Sequence, residues 1–158
     1  MAAEPVFDPA RIVSALNEAR VDYVIVGGLA VAAHGVVRAT RDLDLVPDES
    51  QANMDRLARC LVALGGQHSI DHTITGAAPA RPTSFKLTTV HGDVQVLNRM
   101  HGVPSFAQLA RRRITVEIAP DALAPICSLA DLRAMKRAAD RPRDRVDLAE
   151  LEELHGTS

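Results

Sequence analysis

Residues 23–46 read YVIVGGLAVAAHGVVRATRDLDLV. The β-branched run Val21 to Val26 stops at Gly27-Gly28, which predicts a fully buried strand. Leu29 to His34 is rich in alanine and closed by Gly35, the pattern of a short helix. Leu43 to Val46 is a second apolar run, ended by Pro47. Two acids, Asp42 and Asp44, mark the start of that second strand.

Each feature in this stretch has a chemical reading and a plain one. Glycines without Cβ atoms let an anion approach the backbone, and a following helix offers free N–H groups to it. Gly pairs also close strands with no ligand involved. Residues i and i+2 on a strand face the same way, roughly 6–7 Å apart. Paired carboxylates on an apolar strand are costly unless they meet a cation, and hard oxygen ligands suit Mg²⁺. Otherwise Asp42 and Asp44 reach solvent or pair with Arg38 and Arg41. The glycines fourteen residues before Asp42-Leu43-Asp44, on an adjacent predicted strand, tip the balance toward the cation.

Outward from there, Asp8-Pro9 opens a helix over 9–19 with Ile12, Val13 and Leu16 on one face. Ser50 caps a helix to about Leu64, its apolar face Met54, Leu57, Leu61 and Leu64. Residues 65–83 read as a loop with at most one short strand. Phe85 to Val90 and Asp93 to Leu97 predict two strands turning at His91-Gly92. Ser105 starts a short helix to about Arg111, and residues 113–118 alternate as a half-buried strand. Ser128 and Asp131 approximate a capping box for a helix over 129–139. After Arg141-Pro142, a last amphipathic helix carries Val146, Leu148, Leu151 and Leu154. This order predicts an α+β fold with a central mixed sheet flanked by helices. The chain reads as one domain over 1–158, with residues 128–154 forming a C-terminal helical pair.

Composition narrows the function. Hydrophobic residues make up 47% of 158, enough for a core. Aromatics are 3% with no Trp, which argues against a base-stacking nucleic-acid platform. The net charge is −2, yet nine of 18 basic residues fall between Arg111 and Arg145, against five acids there. That excess either faces an anionic ligand or coats a solvated helix. Cys60 and Cys127 make no CxxC pair and read as buried thiols in a reducing cytosol. The N-terminus lacks a signal-peptide pattern and no apolar run approaches 18 residues, which predicts a cytoplasmic protein with no membrane partner.

GGLAVAAHG followed by RATRDLDL resembles the nucleotidyltransferase superfamily with the DNA polymerase β-type core. The resemblance continues in VPSFAQL and SLADLRAMKRAADRPRDRVDL, so it covers roughly residues 10–154. It is similar to small bacterial nucleotidyltransferase-like proteins, some of them in toxin–antitoxin systems. The resemblance implies that Asp42 and Asp44 bind Mg²⁺ and act in catalysis. It places Gly27 and Gly28 at the phosphates of an NTP and makes Lys136 a candidate for touching the triphosphate. Arg38 and Arg41 either steer phosphates or balance the acids; Arg41 joins the nucleotide-binding candidates.

The match fails at one position. The family's further acid lies in a pattern like Gly-x-Val-Asp-x-Leu, and here Gln95 stands there. Glutamine is a poor base and a weaker metal ligand. Asp93, two residues earlier, either substitutes as a third catalytic acid or simply sits in the hairpin turn. Asp140 stands where relatives have Gly before Arg-Pro. His34 either meets its helix's C-terminal dipole or faces the cleft. His68, Asp71 and His72 suggest a metal site without a fourth ligand, and Ser84 and Lys86 border the cleft region. Two functions follow: an Mg²⁺-dependent transferase moving NMP from an NTP to an RNA, protein or small-molecule hydroxyl, or a degenerate binding or antitoxin-like regulatory module.

Overall fold

The apolar run at Tyr23–Val26 forms strand β1, buried along its whole length, and it turns directly into helix α2, Gly27–Ala33. The helix starts at the glycines themselves, two residues before the expected Leu29. The computed structural model describes residues 6–68 and 83–157. Before β1 lies α1, Pro9–Glu18, whose cap Asp8 accepts a hydrogen bond from the Arg11 N–H. After α2 come β2, Asp42–Pro47, and α3, Gln51–Ala63, capped by Ser50. Then follow β3, Gln67–His68, β4, Thr83–Thr89, and β5, Gly92–Asn98. The chain continues through α4, Phe106–Arg112, β6, Ile114–Ala119, and β7, Ala122–Ile126. It closes with α5, Leu129–Ala139, and α6, Pro142–His155.

Among the described residues the strands make one seven-stranded mixed sheet in the order β3-β4-β5-β2-β1-β7-β6. β1 is antiparallel to β2 and parallel to β7, while β2 runs parallel to β5. The expected α+β architecture is therefore present. On β2, Leu43 and Leu45 are fully buried, so the alternating Asp42 and Asp44 project from the opposite face.

Several features differ from expectation. The β4–β5 turn falls at Val90-His91, one residue early, so Asp93 is a strand residue and not part of the turn. β7 was not anticipated. Its Pro125 removes a backbone donor, a signal that demotes a strand, and its buried side chains, Ala122, Ala124 and Ile126, include two small ones. On α6 the buried face is Asp144, Asp147 and Leu151, while Val146 and Leu154 are exposed. The helix is where it was expected, and Leu151 packs into the core as predicted, but two aspartates share its buried face where Val146 and Leu154 were expected. On β6, Val116 and Ile118 pack against the core as predicted, whereas Ile114 is exposed at the sheet edge.

Candidate active site

β1, β2 and α2 meet at a tight contact. Gly27 has φ +72°, and a Cβ there would lie 2.2 Å from Asp44 Oδ2. The first glycine thus serves two needs at once, a left-handed backbone and room for the Asp44 carboxylate. Gly28 lies against Thr40, whose Oγ1 would sit 3.0 Å from an added Cβ. Both glycines line a cleft of about 870 Å³ that also contains Asp42, Asp44, Asp93, Gln95 and Lys86.

Strand register brings those residues together. Asp42 pairs with Asp93 and Asp44 with Gln95 across the parallel β2–β5 ladder. Lys86, the β4 partner of Gln95, reaches across to the acids. Its Nζ lies 3.3 Å from Asp93 Oδ2 and 3.9 Å from Asp42 Oδ2. Gln95 Nε2 donates to Ser84 Oγ at 2.7 Å. Asp93 is therefore a cleft residue beside Asp42. The position opposite Asp44 belongs to an uncharged amide.

Asp44 is the unusual acid. Burial, and then the neighbouring Asp42 charge, push its pKa up to about 6, against the pull of Lys136, Arg143 and Arg141. Its Oδ1 is buried without a hydrogen-bond partner. A buried carboxylate oxygen that meets no donor is costly, and a hard cation is the kind of group that would offset this. Among the described residues no group of three or more His, Cys, Asp or Glu converges as a complete metal cage.

The facing wall is basic: Arg38, Arg41, Lys136, Arg141 and Arg143 line the cleft. Lys136, the candidate for a triphosphate contact, is nearly buried, with Nζ 3.1 Å from Asp144 Oδ1 and 3.0 Å from Asp147 Oδ2. Arg38 pairs with Asp147, and Arg141 donates through Nε to Asp144 Oδ2 at 2.7 Å. Burial raises the Asp144 pKa, but hydrogen bonds from Arg141 and Lys136 outweigh it and bring the value down to about 2. Arg41 and Arg143 are exposed at the cleft.

Other candidates fall elsewhere. His34 Nε2 lies 2.8 Å from the Cys127 carbonyl oxygen, and the ring stacks edge-on with His155, away from the cleft. Asp140 adopts the left-handed conformation, φ 48°, at the end of α5. It fills the place of a terminal glycine. Asp71 and His72 lie outside the described residues, as does the His68 side chain. Cys60 and Cys127 are buried free thiols. Phe7, Thr40 and Thr88 also line the cleft and carried no sequence signal. Arg141 and Arg143 had registered only as part of a basic excess.

Known proteins resemble this chain in family and in fold. The family model for aminoglycoside-2''-adenylyltransferase matches residues 10–118. No curated protein matches the sequence. The lincosamide antibiotic adenylyltransferase LnuA, solved with lincomycin bound, superposes with a TM-score of 0.67 at 16% identity, over 98% of this chain and 100% of that one. An antigenic nucleotidyltransferase-like protein from Paracoccidioides brasiliensis gives 0.61 at 20% identity, over 95% and 78%. The antibiotic-resistance factor ANT(2'')-Ia, in its solution structure, gives 0.58 at 15%, over 91% and 80%. At such identities the structural likeness speaks for the fold. Among the described residues no helix is long and apolar enough to cross a membrane. With more than half of its length matched by the family model, the chain belongs to the aminoglycoside-2''-adenylyltransferase family of the nucleotidyltransferase superfamily.

Proposed function

We propose that this protein is an Mg²⁺-dependent nucleotidyltransferase that moves a nucleoside monophosphate from an NTP to the hydroxyl of a small molecule. The observation that carries the reading is the buried, unpartnered Oδ1 of Asp44 beside Asp42, across a cleft from a basic wall. The two carboxylates fit a hard divalent cation, and Asp42 and Asp44 are the residues that would hold it. When bound, Mg²⁺ neutralises charge on phosphate oxygens during transfer.

The chain's own residues do the remainder. Gly27 and Gly28 admit the phosphates to the backbone at the head of α2. Arg41 and Arg143, exposed at the cleft, draw in the polyphosphate. Lys136, already held by two acids, contributes as a nearby fixed charge. The acceptor oxygen bonds to the α-phosphorus, the α–β phosphoanhydride bond breaks, and pyrophosphate leaves. The hydroxyl proton goes to the Asp93 carboxylate, since Gln95 cannot act as a base.

The family match supports a small-molecule acceptor over RNA, a protein or a toxin–antitoxin partner. LnuA was solved with lincomycin and ANT(2'')-Ia is an antibiotic-resistance factor, so lincosamides and aminoglycosides are the first acceptors to try. The competing reading is nucleotide binding without transfer, and the neutral Gln95 opposite Asp44 favours it. Incubation with each NTP, Mg²⁺ and an antibiotic panel separates the two. Transfer releases pyrophosphate and yields a nucleotidylated product, both lost in the Asp42→Ala/Asp44→Ala variant. NTP retained by calorimetry with no pyrophosphate from any acceptor overturns transfer in favour of binding alone.

A further inference from the structure

We propose that the Lys86 ammonium fills the gap between Asp42 and Asp93, so that this site takes one divalent cation, held by Asp42 and Asp44, and not two. The inference rests on the reading of Asp42 and Asp44 as metal ligands given above. Three carboxylates share this face of the sheet, Asp44 two residues along the strand from Asp42 and Asp93 on the neighbouring strand. The pairing of β2 with β5 sets Asp42 directly beside Asp93. The space a second ion would need between them is where Lys86 Nζ sits, 3.3 Å and 3.9 Å from the two Oδ2 atoms. An ammonium is a compact point charge with three donors, the nearest a side chain comes to a hard cation.

Gln95 completes the argument. It is the register partner of both Lys86 and Asp44. An acid at that position would compete for the ammonium. The amide instead donates to Ser84 Oγ at 2.7 Å and leaves Lys86 to Asp42 and Asp93. Formal charge also closes before any nucleotide arrives. The three carboxylates carry −3, and one divalent ion plus one ammonium carry +3. The Lys86 side chain is 47% exposed, so an ion pair of this kind adds little to stability. Its worth lies in the charge it places at the reacting phosphate, with no ion to be captured from solution.

Crystals of the wild type and of Lys86→Met, grown with Mn²⁺ and a nonhydrolysable ATP analogue, test this by anomalous scattering. The wild type should show one Mn²⁺ peak, beside Asp42 and Asp44. Lys86→Met should show a second, between Asp42 and Asp93, that disappears when Asp93→Asn is added. Two peaks in the wild type, or a single peak in both proteins, overturns the proposal and leaves the metal reading standing. No peak beside Asp42 and Asp44 in either protein removes the metal reading itself, and the role of Lys86 with it.

Discussion

At the scale of single residues, Gly27 and Asp44 constrain each other. The glycine has a left-handed φ of +72°, and its missing Cβ is the space the Asp44 carboxylate occupies. Gly27→Ala should therefore cost about 1–3 kcal/mol in urea denaturation, from backbone strain alone. It should also displace Asp44 and abolish product formation. Gly28→Ala meets the Thr40 side chain, its hydroxyl at 3.0 Å and its Cβ at 3.4 Å, with Arg38 Cζ at 3.7 Å and no positive φ, and should be milder in both measurements. Asp44 carries a second prediction, for the protein in EDTA. Its folded pKa of about 6 lies above the ordinary 3.8. Between those values the folded state holds a proton that the unfolded state has released. Stability from this group therefore rises as pH falls from 6 toward 4, and above 6 the ionised carboxylate costs up to about 3 kcal/mol. Asp44→Asn should raise Tm at pH 7.5, with the gain vanishing near pH 4, while eliminating transfer. The acids and glycines were legible in the sequence because the chemistry of strand-borne carboxylates is local. Lys86 was not assigned a role there, because its position depends on which strands pair and in what register.

At the scale of elements, α6 shows how a helix can be found correctly and its buried face only in part. The Arg141-Pro142 break after α5 marked where it begins, and the spacing of Val146, Leu148, Leu151 and Leu154 suggested what it buries. Leu151 is buried as expected, but the other buried positions are Asp144 and Asp147, because Lys136 of α5 and Arg38, from the segment joining α2 to β2, need partners. Charge complementarity between distant segments leaves no periodic trace in a sequence. Removing one partner of a buried pair strands the other, so Asp147→Ala should lose about 3–5 kcal/mol of unfolding free energy. Asp144 adds an acid limb to the stability profile. Its folded pKa of about 2 lies below the ordinary value, so its contribution is present above pH 4 and is lost as pH falls toward 2. An acid titration followed by circular dichroism should show this limb, and Asp144→Asn should flatten it. β7 escaped notice for the opposite reason. Its local signals, a proline and alanines, argue against a strand, and only pairing with β1 and β6 makes it one.

At the scale of the whole molecule, five basic side chains, Arg38, Arg41, Lys136, Arg141 and Arg143, face Asp42, Asp44 and Asp93 across the cleft, while Lys86 lies among those acids. Asp144 and Asp147 pair with Arg38, Lys136 and Arg141, which leaves Arg41 and Arg143 as the charges open to an anion. Nucleotide affinity should fall as salt rises from 50 to about 500 mM, because exposed Arg41 and Arg143 are screened. Arg143→Ala should weaken NTP binding and lessen the salt dependence in a calorimetric titration. The basic excess in the C-terminal part of the sequence pointed this way, although two of its members, Lys136 and Arg141, are tied to α6 acids.

The pairing of Arg38 with Asp147 also sets an order of events during synthesis. The two residues are 109 positions apart. At roughly 5–20 residues per second, Arg38 waits on the order of 5–20 s before its partner has been made. Until α6 leaves the ribosome, the nascent chain holds β1, α2 and β2 but lacks the counter-charges for one side of the cleft. Nucleotide or a chaperone meeting the chain in that interval would find an arginine that is still unclaimed.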